Sequence, residues 1–300
     1  MSNNKVVQIA DRKLKLTNLD KMMFPGISKI DVINYYFNMG GILLPHIQGR
    51  PLVLKRYPEG IDGDYFYQKE CPKHAPEWVQ TFGVAHGEKN VNYVICNDLA
   101  TLVWLVNLGC LEFHVWRSKT SAISFPDIAV MDLDPSPQVD FDILLKVALL
   151  VRQALQEFNI HCYPKTSGSR GIHIFIPLIP QYPFSRVTAA MEYIAKMIVN
   201  TYPNRCTIER MVAKRGDKIY LDYLQNSRGK TMAWHYSLRP TPEATVSTPL
   251  LWGEIESGNI KVESYNINTI MPRVKRLGDL YQGILTKQQN IDSLLTMIND

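Results

Sequence analysis

Hydrophobic and polar residues alternate along this chain with two different periods. Apolar residues recur at helical spacing and predict helices over residues 29–44, 98–108, 141–158 and 184–200. Short apolar or strictly alternating runs predict strands over residues 51–57, 65–68, 91–96, 113–116, 128–134, 162–166, 172–177 and 218–224. Because helices and strands are interleaved, the pattern predicts an α/β (α+β mixed) fold built on a mixed sheet.

The two ends of the chain differ from its middle. Residues 1–25 form a basic segment that predicts one short strand followed by a loop, and residues 250–300 predict a tail with two helical runs, packed on the body. No internal repeat, low-complexity segment or clear linker interrupts the sequence. We therefore expect a single domain over residues 1–300.

Composition and charge restrict the class of protein. A hydrophobic content of 46% with 20% charged residues is typical of a folded globular chain rather than a disordered one. The net charge of +5 permits a polyanionic partner without establishing one. The polar start Met1-Ser-Asn-Asn-Lys5 is unlike a signal peptide, and the longest apolar stretch, residues 99–113, is too short to span a bilayer. We expect a cytoplasmic protein that does not bind membranes.

The five cysteines are scattered and odd in number, which is unlike a disulfide framework. Cys71 and His74, and likewise Cys110 and His114, have spacings found among zinc ligands. No CxxC pair accompanies them, so buried free thiols are the favoured interpretation.

Two aspartates, Asp132 and Asp134, end the apolar run that begins at Ile128. Side chains alternate across a strand, so both carboxylates project from one face, roughly 7 Å apart along the chain. Paired carboxylates at a strand end suit hard cations that hold phosphate oxygens. Taken alone, the pair is equally well explained as solvated turn acids before Pro135.

A glycine-rich loop, residues 166–171, leads into the predicted strand 172–177. Its backbone N–H groups and the Ser167 hydroxyl suit an anion, and its glycines allow close approach. His173 lies on the strand face opposite Ile172 and Ile174, where a ligand of this loop would sit. A tight hairpin turn with a partly buried histidine is the alternative.

A third carboxylate, Asp222, lies on a further predicted strand, facing the same side as Tyr220. A two-metal site needs at least one acid beyond the pair, and Asp222 would supply it. Arg215 and Arg239 are candidates for neutralising phosphate charge.

The three segments together resemble the three motifs of the archaeo-eukaryotic primase superfamily, and most closely the polymerase domain of the bacterial ligase D type used in non-homologous end joining. The resemblance covers roughly residues 10–285. Besides the motifs, it is carried by residues 16–21, 35–36, 43–46, 49–51, 58–63, 66–69, 111–114 and 116.

The resemblance implies a primase-polymerase fold whose central mixed sheet, flanked by helices, carries the active site between two lobes. It implies that Asp132, Asp134 and Asp222 bind two divalent cations, Mn²⁺ or Mg²⁺, for template-directed transfer of ribonucleotides in preference to deoxyribonucleotides. The residues that it assigns to the incoming nucleotide (NTP or dNTP) are Ser167, Arg170, His173, Arg215, Arg239 and, near the sugar, His114.

The same resemblance implies DNA contacts. Lys13 and Lys21 would bind a downstream 5′-phosphate, although Lys15 competes with Lys13 for that role, and a solvated basic strand is the plainer interpretation. Lys55 and Arg56 would hold the DNA backbone. The aromatic residues at 66 and 67 would stack on bases, unless they belong to a hairpin core. Residue 67 is tyrosine where the family usually has phenylalanine.

The implied function is gap filling and end extension in double-strand-break repair by a prokaryotic, nucleoid-associated enzyme. Its implied partners are DNA with 5′-phosphorylated gaps or ends, a Ku-like protein and a DNA ligase. A two-metal phosphodiesterase or nuclease would use the same three carboxylates, whereas a non-catalytic DNA-end-binding module would leave them unexplained.

Overall fold

The computed structural model describes residues 3–299, so the outermost residues of the predicted single domain lie outside the described part. The chain divides into two compact units. Unit 1 contains the chain up to Ser121 together with Thr231–Ser247 and Glu263–Arg276. Unit 2 contains Ala122–Lys230, Thr248–Val262 and the chain from Leu277 onward.

The strands, in chain order, are β1 (Lys5–Ile9), β2 (Arg12–Leu16), β3 (Met22–Phe24), β4 (Ile27–Ser28), β5 (Pro51–Arg56), β6 (Phe66–Gln68), β7 (Gln80–His86), β8 (Lys89–Ile95), β9 (Cys110–Trp116), β10 (Ile128–Pro135), β11 (Tyr163–Thr166), β12 (Ile172–Pro177), β13 (Cys206–Thr207), β14 (Ile219–Asp222) and β15 (Thr231–Ala233). The helices are α1 (Lys29–Ile47), α2 (Leu99–Asn107), α3 (Phe141–Gln156), α4 (Phe184–Thr201), α5 (Trp252–Ser257), α6 (Ile270–Leu277), α7 (Gln282–Thr286) and α8 (Asp292–Asn299). This mixed composition confirms the predicted fold class.

Unit 1 is built on a sheet in the order β15-β9-β5-β8-β7, with β6 added alongside β5. Strand β5 is central because it pairs antiparallel with β6, β8 and β9. The predicted hairpin between residues 51–57 and 65–68 is therefore confirmed. Helix α2 begins after Asp98, whose carboxylate accepts the backbone N–H of Thr101 at 2.8 Å.

Two predictions in unit 1 need correction. The basic segment forms a hairpin of β1 and β2 rather than one strand and a loop, since Leu14 and Leu16 are buried while the intervening Lys15 is exposed. Helix α1 does not stop before Pro45 but runs to Ile47. A proline near the last turn removes only one helical hydrogen bond, and the N–H of Gln48 still bonds the carbonyl of Leu44 at 2.9 Å.

Unit 2 is built on a sheet in the order β11-β12-β10-β14-β13. Only the β13–β14 pair is parallel, so the sheet is mixed, as predicted. Helices α3 and α4 contact the central strand β10, where Met131 and Leu133 are fully buried. The alternation along β10 therefore directs the carboxylates of Asp132 and Asp134 away from the core.

The C-terminal region is more segmented than the two predicted helical runs. It contains four helices, of which α6 falls mainly in unit 1 and the others in unit 2. Within residues 3–299, no helix combines the length and apolar character needed to cross a membrane. All five cysteines are free thiols, and four of them are buried.

Candidate active site

Four residues of unit 2 lie side by side across its sheet. Lys165 on β11 is opposite His173 on β12, His173 is opposite Asp132 on β10, and Asp132 is opposite Asp222 on β14. Directly opposed residues of antiparallel strands face the same side, with Cβ atoms about 4.5–5.5 Å apart. The His173 Nε2 atom lies 3.4 Å from Oδ1 of Asp132. The sheet thus brings together the three predicted motifs.

The glycine-rich loop is held by the hydroxyl of Ser167. Its Oγ accepts the backbone N–H groups of Ser169 at 3.1 Å and Gly171 at 3.0 Å. Gly171 is required sterically, because a Cβ there would lie 2.6 Å from the carbonyl oxygen of Leu133. Arg170 is exposed in this loop. Ser167 therefore shapes the loop, and its predicted contact with a phosphate remains a prediction.

Arg215 binds the second aspartate of the pair. Its Nη1 lies 3.1 Å from Oδ2 of Asp134, while its Nε donates to the carbonyl of Glu209 and its Nη2 to that of Arg210. The guanidinium carbon lies 3.8 Å from the centre of the Tyr220 ring. The half-exposed carboxylate of Asp134 is therefore paired with a well-anchored cation.

Asp222 accepts the Tyr220 hydroxyl at 3.1 Å and the Gln225 amide at 3.2 Å. Burial, together with the Asp222 carboxylate, raises the pKa of Tyr220, so the phenol stays protonated and keeps donating. Asp222 and Arg215 also line a cavity of about 300 Å³, to which Lys230 contributes a further cation. The cavity therefore places a carboxylate beside basic side chains.

Whether a divalent cation fits this site depends on which side chains could coordinate it. Among residues 3–299, no three His, Cys, Asp or Glu side chains are oriented to share a metal ion. Two of the three aspartates are held by other partners. Asp134 pairs with Arg215, and Asp222 accepts hydrogen bonds from Tyr220 and Gln225. The available donors are nevertheless carboxylate oxygens on two adjoining strands, which suit Mg²⁺ or Mn²⁺.

Unit 1 contains a second polar cluster, centred on the carboxylate of Glu112 on β9. Three predicted site residues surround it, with Lys55 Nζ at 2.6 Å, Arg239 Nε at 2.9 Å and His114 Nε2 at 3.6 Å. Burial opposes ionisation of Glu112, but contacts with His114, Arg239 and Lys55 outweigh it and lower its pKa to about 2. The carboxylate is thus ionised at neutral pH.

Lys55 is buried rather than presented freely to solvent. Three tyrosine rings surround its ammonium group, at 5.3 Å for Tyr57, 4.4 Å for Tyr65 and 5.6 Å for Tyr67. The Tyr67 ring also meets His114 edge-on, with centroids 5.4 Å apart. The lysine predicted to hold DNA therefore belongs to the same cluster as the histidine predicted to lie near the nucleotide sugar.

The predicted stacking residues lie at the surface of the short strand β6. Phe66 is 44% exposed and Tyr67 is 53% exposed, so neither belongs to a hairpin core. The Arg56 guanidinium lies 5.1 Å from the Phe66 ring and donates to Gln68 at 2.8 Å. Tyr65, which sequence reasoning did not single out, is 55% exposed beside them. Exposed large aromatics are available for stacking on bases.

The lysines predicted to bind a downstream 5′-phosphate differ in how freely they are exposed. Lys13 and Lys15 are exposed on β2, one position apart from buried leucines. Lys21 instead donates to the Glu59 carboxylate at 2.7 Å and the Pro58 carbonyl at 2.9 Å. A 5′-phosphate would have to compete with Glu59 for Lys21, whereas it would meet the other two lysines on an open strand.

Sequence reasoning missed Glu112 as a site residue. The only signal was its place within the motif Leu111-Glu-Phe-His114, where Glu112 and His114 share one strand face. Sequence reasoning also missed Lys165, which is fully buried with its Nζ atom 5.3 Å from the centre of the Phe175 ring. Its position opposite His173 appears only once the strands are paired.

Comparison with known proteins identifies the family of this chain. Residues 28–281 match the family model of the LigD primase-polymerase domain. The chain is 36% identical to the bifunctional non-homologous end joining protein LigD of Bacillus subtilis, over 89% of this chain and 43% of that protein. It is 30% identical to the multifunctional protein LigD of Mycolicibacterium smegmatis, over 95% of this chain and 38% of that one.

A solved structure is also similar. The polymerase domain of Mycobacterium tuberculosis ligase D, in complex with DNA, matches with a TM-score of 0.86 and 30% identity, covering 92% of this chain and 99% of that one. The chain spans about two fifths of the length of the two curated relatives named above. On both the sequence match and the fold, this chain belongs to the LigD primase-polymerase domain family.

Proposed function

We propose that this chain is a template-directed, metal-dependent nucleotidyltransferase that fills gaps and extends DNA ends, preferring ribonucleotides, during non-homologous end joining. The observation that carries the proposal is the opposed pair Asp132 and Asp222, flanked by Asp134 and by His173 from the glycine-rich segment. Carboxylates next to an anion-binding loop suit the transfer of a phosphorylated group.

In this proposal Asp132, Asp134 and Asp222 hold two divalent cations, Mn²⁺ or Mg²⁺. When bound, such cations neutralise phosphate charge and favour ionisation of the attacking hydroxyl. His173, 3.4 Å from Asp132, would donate to a phosphate oxygen, and the backbone of the Ser167 loop would offer further donors. Arg215 would exchange Asp134 for a phosphate and thereby release that carboxylate.

DNA is the proposed second substrate. The exposed aromatics at 66 and 67 would stack on bases, and the exposed lysines of β2 would meet a 5′-phosphate. The relatives support a place in end joining, since they are named as non-homologous end joining proteins, and the matched structure is a complex with DNA. We extend the proposal to a cytoplasmic, nucleoid-associated protein that acts with a Ku-like protein and a DNA ligase.

The test is extension of a 5′-phosphorylated, single-gapped duplex with Mn²⁺, comparing ribonucleotides with deoxyribonucleotides. The proposal expects template-matched addition, with ribonucleotides used more efficiently, and no addition by Asp132→Ala. Cleavage of the DNA without addition would assign the same carboxylates to a nuclease. Tight DNA binding with neither reaction would leave an end-binding module.

A further inference from the structure

Tyr220 is a buried residue of the carboxylate site in unit 2 to which the proposed reaction assigns no role. On the adjoining strands β10 and β14, Asp132 is opposite Asp222, and Asp134 is opposite Tyr220. Directly opposed residues of antiparallel strands face the same side of the sheet. Three of these four positions therefore carry an aspartate, and the fourth carries a phenol ring.

The hydroxyl of Tyr220 orients the carboxylate of Asp222. It donates to Oδ1 at 3.1 Å, while the side-chain amide of Gln225 donates to Oδ2 at 3.2 Å. A carboxylate offers about two acceptor positions on each oxygen, so one position on each remains for a cation. Both donors are neutral, which leaves the full negative charge of Asp222 in place. The carboxylate is thus fixed in direction without being neutralised.

The ring of the same side chain supports Arg215. The guanidinium carbon lies 3.8 Å from the ring centre, within the range of a cation–π contact. Nε and Nη2 of Arg215 donate to backbone carbonyls, and Nη1 is the nitrogen that pairs with an anion, here Asp134 at 3.1 Å. The ring therefore holds the guanidinium in place while Nη1 exchanges one anion for another.

Two groups of the site thus depend on different atoms of one side chain. The hydroxyl acts on a carboxylate that the proposed function assigns to metal, and the ring acts on a guanidinium that it assigns to phosphate. Phenylalanine at position 220 would keep the ring contact and lose the hydroxyl. An unbranched aliphatic side chain would lose both.

We propose that Tyr220 is a positioning residue whose hydroxyl orients Asp222 for a divalent cation and whose ring holds Arg215 for a phosphate oxygen of the nucleotide. The inference rests on the proposed function, because it concerns the cation and the nucleotide of the same reaction. It makes the two affinities separable, since each depends on a different part of the phenol.

The first test is Mn²⁺ binding to the protein without DNA or nucleotide, followed by the electron paramagnetic resonance signal of free Mn²⁺. Tyr220→Phe should weaken binding by about tenfold, since partners that orient a metal-binding carboxylate typically contribute this much to metal affinity. Tyr223→Phe is the matched control, because the hydroxyl it removes faces Glu192 on α4, and its Mn²⁺ affinity should be unchanged. Equal Mn²⁺ affinities for wild type and Tyr220→Phe would overturn the role of the hydroxyl.

The second test is ATP binding to the DNA-free protein at saturating Mn²⁺, measured by calorimetry. Tyr220→Phe keeps the ring and should bind ATP as tightly as wild type. Tyr220→Met fills the space without a ring and should bind ATP roughly 5- to 30-fold more weakly, the range expected for a largely buried cation–π contact. Wild-type ATP affinity in Tyr220→Met would overturn the role of the ring.

A double-mutant comparison shows whether the ring acts through the guanidinium. In an Arg215→Ala background, Tyr220→Met and Tyr220→Phe should bind ATP equally. Weaker ATP binding by Tyr220→Met in that background as well would overturn the role assigned to the ring. If Tyr220→Met does not fold, Tyr220→Ile, whose branched side chain suits a strand, serves as the ringless variant with the same expected outcomes.

The inference and the proposed reaction fail separately. If the wild type extends gapped DNA while both Tyr220 variants bind Mn²⁺ and ATP normally, the role of Tyr220 is overturned and the reaction remains supported. If both binding losses are found and the wild type extends no primer, the reaction is overturned and the role of Tyr220 remains supported. Equal losses of Mn²⁺ and ATP affinity in Tyr220→Phe would also overturn the proposal, because general loss of packing would produce that result.

Discussion

Asp134 and Arg215 form an ion pair, with Nη1 3.1 Å from Oδ2, at the edge of the carboxylate group of unit 2. The arginine is anchored independently by two backbone carbonyls and by the Tyr220 ring. The carboxylate can therefore change partner while the guanidinium stays close. A cation that binds Oδ2 of Asp134 competes with Arg215 for that oxygen.

Arg215→Ala should raise the affinity of the DNA-free protein for Mn²⁺ by roughly 1.4- to 5-fold, because an ion pair this exposed is worth roughly 0.2–1 kcal/mol. Calorimetric titration of the metal would measure the change. Lys214→Ala removes an exposed neighbouring cation and is the matched control. Equal Mn²⁺ affinities for wild type and Arg215→Ala would mean that the pair does not compete with metal.

Asp134→Ala should abolish primer extension while changing DNA affinity less than about threefold. The carboxylate lies next to Asp132 on the site face, but carboxylates repel DNA rather than hold it. Gap extension and fluorescence anisotropy on the same duplex would measure the two properties. Extension by the variant at a rate comparable to wild type would contradict the two-metal assignment.

Phe66→Ala should weaken binding to gapped DNA by roughly 5- to 150-fold, since stacking on an aromatic ring is worth about 1–3 kcal/mol per base. Tyr67→Phe keeps the ring and should bind DNA within twofold of wild type. Anisotropy titration at fixed salt would compare them. Normal DNA affinity for Phe66→Ala would show that the exposed ring does not contact bases.

Gly171→Ala should destabilise the protein by about 1–3 kcal/mol, the usual cost of overpacking, because its Cβ would lie 2.6 Å from the carbonyl oxygen of Leu133. Gly41→Ala is the matched control. It lies in α1 with no atom within 4 Å of the added carbon, so it should stabilise by roughly 0.5–1 kcal/mol. Urea unfolding would measure both changes, and equal effects would contradict the steric argument.

Stability at acid pH should depend on Glu112. Its pKa of about 2 in the folded protein lies below the unfolded value near 4.3. The stabilisation is therefore fully present above that unfolded value and is lost as pH falls toward 2. The free-energy difference between wild type and Glu112→Gln should shrink by roughly 3 kcal/mol over this range. Urea unfolding at several pH values would measure it, and a constant difference would contradict the prediction.

Local sequence patterns predicted strands and helices well where burial is one-sided. Strand β10 and helix α3 are examples, because their apolar residues recur with the right period. Strand β7 was missed since only Val84 along it is buried and Gly83 interrupts it, leaving little periodicity to detect. Its pairing with β8, rather than its own composition, makes it a strand.

The site residues likewise divide into those that local patterns predict and those that only the folded chain reveals. The strand-end positions of Asp132 and Asp222 follow from local alternation, but their direct opposition depends on which strands pair. Glu112 could not be recognised from its neighbours alone, because its partners Lys55 and Arg239 lie far from it in the chain. Residues that act through distant contacts become visible only when the fold is known.

The row of directly opposed residues Lys165, His173, Asp132 and Asp222 can form only late in the synthesis of the chain. Its members come from four strands, and the central strand β10 is made before both of its neighbours in the sheet. A growing chain therefore lacks a complete carboxylate group until residue 222 has left the ribosome and β14 has paired. Nascent fragments that end before residue 222 cannot assemble this carboxylate group, which forms only in a chain whose sheet has closed around β10.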